Sequence, residues 1–463
     1  VSHDEHKLRW YEGISKYQWL VLTIASLGWI FDVFEGQIFV ASMNEAMPEL
    51  LGTGADPAVA RGWNDWALGS FLLGGAFGGV IFGVLSDKIG RSKTMIMTIL
   101  CYSLFTCVTA FAQAPWQMVV LRFFVAMGVG GEWAVASAMV AEVMPLRSRP
   151  VMSSIFHGSS VFGTLLAAAA GAFVVGNPDF GWRWGFAIGA LPALLTLWIR
   201  WKLREPDQWV AAHELAAKGE AEKPGQIKEL FQGANLRSTV IGVSLASIGL
   251  VTFWGGHIYG KNGLFRHAQV AALAAENVPA QAPADKDKAV QDRYNLAKDA
   301  AFDVHKVEIK RAEMLSMVLN TIGGGLGLVL FGFISNRLGR RGAFIFYHAI
   351  AFVMVILLFK VLIPNNASAT VLAITLPVFG FFTLGMHAGY AVYFPELYPT
   401  RLRGTGGGFC FNMGRIATAV AFFGFGATTI GSEEKAVMLA PLYLVGVVVV
   451  LFARETRGEE LAE

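Results

Sequence analysis

Gly83-Val84-Leu85-Ser86-Asp87-Lys88-Ile89-Gly90-Arg91 returns later in the chain as Gly332-Phe333-Ile334-Ser335-Asn336-Arg337-Leu338-Gly339-Arg340. Glu142-Val143-Met144-Pro145-Leu146-Arg147-Ser148-Arg149 returns as Glu396-Leu397-Tyr398-Pro399-Thr400-Arg401-Leu402-Arg403. Gly90 and Gly339 are 249 residues apart, and Glu142 and Glu396 are 254 apart. Two independent patterns repeated in the same order at nearly one offset make the chain a tandem of two related halves. In a hydrophobic chain, such a tandem builds a site between its halves.

The chain is hydrophobic enough for that reading. Of its 463 residues, 54% are hydrophobic and only 15% charged, against about a quarter charged in a soluble domain. Mean hydropathy is +0.51. Twelve stretches have the ~20 mostly apolar residues that a spanning helix needs. They run over 18–42, 64–86, 94–113, 117–143, 151–176, 184–203, 238–260, 314–335, 343–363, 370–394, 405–428 and 434–453. The fold expected is an all-α integral membrane protein with twelve transmembrane helices in two six-helix halves, 1–204 and 238–463. A polar linker, 205–237, joins the halves. A charged, Ala-rich insertion at 261–312 follows the seventh span and reads as one or two surface helices broken near Pro279 and Pro283. Its charges include Lys286, Asp287, Asp292 and Lys298. The first apolar run is long enough to span and shows no cleavage site, so it reads as a helix and not as a signal peptide.

Basic residues orient the spans. Alternate loops carry Lys88, Arg91 and Lys93; Arg147 and Arg149; Lys202 and Arg204; Arg337, Arg340 and Arg341; Arg401 and Arg403; and Arg454 with Arg457. The intervening short loops carry almost none. Both termini and all four signature copies are therefore expected on the cytoplasmic face of a cell (inner) membrane. The 52 glycines, often paired as in Gly130-Gly131, read mainly as close helix contacts. Cys101, Cys107 and Cys410 all fall in apolar runs and read as small packing residues, with no disulfide or metal spacing.

Gly83, Asp87, Gly90 and Arg91 in their spacing resemble the loop signature of the major facilitator superfamily, with Asn336 replacing the Asp in the second copy. Arg122 followed by Gly128 and Gly130 resembles that superfamily's fourth-helix pattern. Arg454-Glu455-Thr456-Arg457-Gly458 resembles the terminal signature of its sugar-porter and organic-ion branches, with a fainter echo at Arg204-Glu205-Pro206. Asp32-Val33-Phe34-Glu35 is similar to the Asp-x-x-Asp of the aromatic-acid, sialate and lactate proton symporters, with Glu in place of the second Asp. Gly130-Gly131-Glu132-Trp133 is similar to the Gly-Gly-Glu-Trp of the same carboxylate-transporting branches. The resemblance implies alternating access by rocking of the halves. It also implies a cytoplasmic latch made by Gly83, Asp87, Gly90, Arg91, Glu142, Arg147, Asn336, Arg340, Glu396 and Arg401, with Glu142–Arg147 and Glu396–Arg401 as available pairs. The bland alternative is that these charges only set topology.

Ionisable groups at membrane depth cost roughly 2.5–3.5 kcal/mol each on insertion scales, so they should face a cavity or a partner. Asp32 and Glu35 are three residues apart and share a helix face. Two carboxylates side by side in a low dielectric do not both ionise readily, which suits a proton carrier. Glu132 and His157 join them as proton-coupling candidates. Arg122 lies ten residues before Glu132 and has three acids to choose from, Asp32, Glu35 or Glu132, or a substrate carboxylate. Arg415 has no acidic neighbour in its own helix. It is expected to hold a substrate carboxylate through two parallel donors or to pair with an acid on another helix; the resemblance to organic-anion transporters favours the first. Asn412, Trp133, His387, Tyr390 and Asn320 are candidate cavity lining, as are Tyr393 and Trp254; helix packing is the alternative for each.

The function expected is proton-coupled symport of a small organic acid, a monocarboxylate or an aromatic acid. The expected partners are a small-molecule substrate, protons and the lipid bilayer, for a monomer. A sugar or polyol porter is the runner-up, favoured by the terminal signature and opposed by the scarcity of amide side chains in spans five, seven and eight. A cation exporter and a non-transporting sensor stand further back. No nucleophile–base spacing, metal cluster or phosphate-binding loop points to an enzyme or a cofactor, and nothing points to nucleic acid.

Overall fold

Helix is the regular structure throughout the described residues, which in this computed structural model are 9–461 apart from 53–56, 176–178, 190, 193, 195–197, 200–201, 220–222, 285–286 and 427–430. Eight helical stretches are long and apolar enough to cross a membrane. One of them, Arg311–Leu362, holds two spans, because its helix turns at Gly339 with φ +77°. The matching turn in the first half is Gly90, φ +114°, between helices Pro57–Ile89 and Arg91–Thr109. A left-handed φ is strained for any side chain, so glycine at both positions follows from the turn. Three further expected spans do not reach that length and apolarity among the described residues. The fifth is broken into Arg149–Gly158 and Ser160–Ala170, where Ser159 bonds back to the Phe156 carbonyl at 2.7 Å. The sixth begins with Gly181–Ile188, and 190, 193, 195–197 and 200–201 of it lie outside the described residues. The eleventh is Arg403–Gly426.

The duplication read from the signatures extends into packing. Gly74 and Gly78 of the second span abut the backbone of Phe123 and Met127 in the fourth. Gly323 and Gly327 of the eighth abut the backbone of Pro377 and Phe381 in the tenth. The glycine pairs are displaced by 249 residues and their partners by 254, the same two offsets as the signatures. Without water to drive helices together, close backbone approach through small residues is what holds such contacts. A side chain at Gly78 would have to displace the Met127 backbone. Gly78→Leu is therefore expected to destabilise the protein by about 3 kcal/mol or more, read as a clear fall in melting temperature in detergent, with Gly327→Leu matching it in the other half.

The linker carries a short helix, Asp207–Ala217. The insertion forms two helices, Asn262–Ala275 and Lys288–Val304; Lys286 lies outside the described residues. The first is pinned to the start of the last span, since Asn262 and Arg266 both donate to Glu433 at 2.7 Å. This makes it a packed cap and not a free arm.

Candidate functional site

Two polar centres lie inside the apolar bundle, one at mid-depth between the halves and one at the basic face. At mid-depth Asp32, Glu35, Glu132 and Arg122 are all buried. Asp32 and Glu35, neighbours on the first span, face different partners. Glu35 is served by Arg122, whose Nη1 donates to the Glu35 carbonyl at 3.1 Å and whose guanidinium lies 5.0 Å from the Phe186 ring and 5.7 Å from the Phe39 ring. Of the three acids open to Arg122, Glu35 is the one beside it, although Oε1 and Oε2 of Glu35 and Nε and Nη2 of Arg122 make no hydrogen bond. Ten residues of helix separate Arg122 from Glu132, about 15 Å along the axis, so the same guanidinium does not serve both.

Asp32 turns to the opposite half. The positive charge near it is Arg415 of the eleventh span, without a direct ion pair, and Glu132 and the Tyr102 hydroxyl also lie close. Neither Asp32 oxygen is hydrogen-bonded, and neither is Nη1 of Arg415. Arg415 fits there because Gly75 and Gly130 have no side chains: a Cβ at either would meet its guanidinium. Its cation rests 5.4 Å from the Phe411 ring. Phe411 stacks on Trp133 with centroids 4.0 Å apart, and the Trp133 indole donates to Nδ1 of His157 at 3.1 Å. Glu132 accepts from the Thr98 hydroxyl and leaves Oε1 unbonded.

The second half adds a histidine centre. Asn320 donates to the His257 carbonyl at 3.1 Å, and His257 Nδ1 is 2.8 Å from the Thr383 hydroxyl. Phe253 lies 5.1 Å from the His257 ring and 5.3 Å from the His387 ring. Oδ1 of Asn320, Nε2 of His387 and Oδ1 of Asn412 are buried without partners. Buried polar atoms are normally hydrogen-bonded, so these three groups leave hydrogen-bonding capacity unused. Tyr390 is otherwise engaged: its hydroxyl donates to the Leu245 carbonyl at 3.0 Å. Tyr393 donates to the Arg454 carbonyl at the basic face, away from the centre. Sequence reasoning did not single out Tyr102, Thr98, His257, Phe253 or Phe411. Phe411 could have been found one helical turn before Arg415; the others gave no signal beyond being polar or aromatic in a span.

At the basic face the two halves repeat one construction. Arg91 joins Asp87 and forks onto Glu142 at 2.8 and 3.2 Å. Arg340 forks onto Glu396 at 2.9 and 3.0 Å. Glu205 accepts from the backbone N–H of Arg91 at 2.6 Å, and Glu455 from that of Arg340 at 2.8 Å. The echo of the terminal signature at Arg204-Glu205-Pro206 is thus structural in both halves: each Glu caps the N-terminus of the helix after the Gly-Arg turn. The pairs Glu142–Arg147 and Glu396–Arg401 are not formed. Met144 and Tyr398 are extended (ψ 140° and 146°), which ends each helix and swings the later Arg away. Arg401 instead pairs with Glu229. Nδ2 of Asn336 is 3.5 Å from the Arg147 carbonyl.

The bonds that cross between the halves are lopsided. The Asp87 carboxylate takes the backbone N–H of Gly404 at 3.1 Å, that of Thr405 at 2.7 Å and the Thr405 hydroxyl at 2.5 Å. Arg91 donates to the Thr400 carbonyl at 2.9 Å, and Arg403 to Glu142 at 2.8 Å. The Gly83 position abuts the Gly404 backbone, as Gly332 abuts that of Pro150. Where Asp87 grips the start of the eleventh span, Asn336 makes a long contact with the loop before the fifth.

This geometry is a two-half membrane bundle with a polar centre between the halves, and known proteins place it. Residues 23–229 and 305–463 match the family described as "Sugar (and other) transporter", and the chain belongs to that family of multi-pass membrane transporters. It is 27% identical over 394 residues to the cis,cis-muconate transport protein of Acinetobacter baylyi, covering 84% of each chain. It is 25% identical over 476 residues to the niacin transporter NiaP of Acinetobacter baylyi, covering 97% of this chain and 96% of that one. Among solved structures, the proton:xylose symporter XylE bound to 6-bromo-6-deoxy-D-glucose aligns over 96% of this chain and 98% of its own, with TM-score 0.65 and 17% identity. The chain is a transporter and not an enzyme.

Proposed function

We propose that this transporter is a proton-coupled symporter of small organic acids, aromatic or unsaturated carboxylates, working by alternating access. The observation that carries the reading is the facing of Arg415 from the second half and Asp32 from the first, both with hydrogen-bonding capacity unused. A guanidinium binds a carboxylate through two parallel donors. Asp32 holds that place when substrate is absent and takes a proton when substrate claims Arg415. Trp133, Phe411, His387, Asn320 and Asn412 supply ring faces and hydrogen bonds for the rest of the molecule. The relatives named for muconate and niacin carry acids of this kind. Sugar transport is the weaker reading, because Glu455 and Thr456 of the terminal signature bond to the Arg340 turn and to Glu396 and take no part in the central site.

The basic face is cytoplasmic in this proposal, with both termini on that side, the halves dividing at 205–237 and the insertion on the outer face. The Asp87 network is then the latch that holds the cytoplasmic side closed. Asp87→Asn copies the second half's residue into the first and removes charge-assisted bonds worth about 1.5–3 kcal/mol each. It should raise labelling of a cytoplasmic-side cysteine reporter at least tenfold, with the fold retained.

A ligand that binds the folded state raises the melting temperature. Nicotinate and cis,cis-muconate should each raise it in detergent, while xylose and glucose should not. A shift from sugars alone would transfer the chain to the runner-up reading.

A further inference from the structure

The buried charges at mid-depth do not balance. Arg122 is the positive charge near Glu35 and Arg415 the one near Asp32, neither closed into a direct ion pair, but Glu132 has no cation of its own among the described residues. What faces Glu132 is the Thr98 hydroxyl and Tyr102 from the third span and Gly28 and Asp32 from the first; Arg415 of the eleventh span lies near Asp32. His157 of the fifth span contributes no charge, because its Nδ1 lone pair accepts the Trp133 indole proton. An ionised Glu132 would therefore be a bare charge at membrane depth, beside a second carboxylate and with no donor on Oε1.

We propose that Glu132 keeps a resident proton through the whole cycle and that Asp32 alone exchanges one, so that each carboxylate group carried on Arg415 is accompanied by one proton. The step balances. The substrate carboxylate forms its ion pair with Arg415 and takes over the charge that had balanced Asp32, and an O–H bond forms on Asp32 with a proton from the water on the loading side. Three acids and two cations then become three acids, one substrate anion and two cations, with two protons held in place of one. The net charge of the centre is unchanged, so a monoanion crosses electroneutrally. The proposal rests on the reading of Arg415 as the substrate's partner, and its two arms fail separately from that reading.

The first arm needs no substrate. The infrared difference between wild type and Glu132→Gln at neutral pH should show the carbonyl stretch of a protonated carboxylic acid; Glu132→Asp should move that band without removing it. Carboxylate bands in the difference spectrum would overturn the resident proton. The second arm uses the wild-type protein in potassium-loaded liposomes with nicotinate as probe. A tenfold inward proton gradient should accumulate nicotinate about tenfold, since equal concentration ratios store equal free energy for the two species. A potassium diffusion potential of either sign should change the uptake rate less than twofold. Uptake that follows the voltage, or accumulation near the square of the proton ratio, would overturn the one-proton assignment. Uptake of neither nicotinate nor muconate would overturn the proposed function, while the infrared arm would still judge Glu132.

Discussion

Arg415→Ala is expected to lose carboxylate binding by about a hundredfold or more. Removing one partner of a buried, hydrogen-bonded charge pair costs about 2–5 kcal/mol, and each 1.4 kcal/mol is tenfold. Nicotinate would then give no thermal shift at concentrations that saturate the wild type. Arg415→Lys keeps the charge but loses the planar fork and so should recover only part of the affinity. The eleventh span packs on the second and fourth through Gly75, Gly79 and Gly130, and alanine fits the space an arginine occupied, so the melting temperature without ligand should stay within a few degrees. Binding that survives in Arg415→Ala would move the anion site elsewhere, with Arg122 the next candidate.

Asp32→Asn has the second large effect, of a different kind. Asparagine imitates the protonated acid and cannot release a proton. Exchange of labelled for unlabelled substrate across the membrane should persist, because the carrier can still cycle in its loaded form. Accumulation driven by a proton gradient should vanish. Wild-type uptake should fall as the outer solution is made more alkaline, because Asp32 must be protonated to give up Arg415; exchange by Asp32→Asn should be flat over the same range. Loss of both exchange and accumulation would make Asp32 a structural pair for Arg415 and not the coupling group.

Much of the fold could be read from the chain because membrane helices leave strong marks. Apolar length gives the spans, and two signatures at two offsets gave the halves. The offsets proved more informative than the motifs themselves, since Gly74, Gly78, Gly323 and Gly327 obey them without belonging to any signature. Helix breaks were less legible. The interruption at Ser159 depends on a hydroxyl bonding back to Phe156, which many uninterrupted spans also contain.

The central site was legible as a set of residues but not as a set of pairs. Asp32, Glu35, Glu132, Arg122 and Arg415 stand out because charge in a span is costly. Which acid meets which arginine depends on the angles between helices, and helical spacing says nothing of that. Spacing placed Asp32 and Glu35 on one face; packing then divided them between Arg415 and Arg122. The basic-face pairs were misread for the same reason. Residues five apart in sequence looked available to each other, but the chain leaves its helix between them, and Glu142 finds Arg91 and Arg403 instead. The inequality of the halves, with Asp87 gripping the eleventh span while Asn336 barely touches the loop before the fifth, was visible as one substitution.

The most direct test of the account is uptake of labelled nicotinate or cis,cis-muconate into liposomes holding the purified protein, measured with and without an inward proton gradient. The account predicts accumulation above the outer concentration only when the gradient is present, and collapse to equilibration when a protonophore is added. Uptake that reaches the same level with and without the gradient would contradict it.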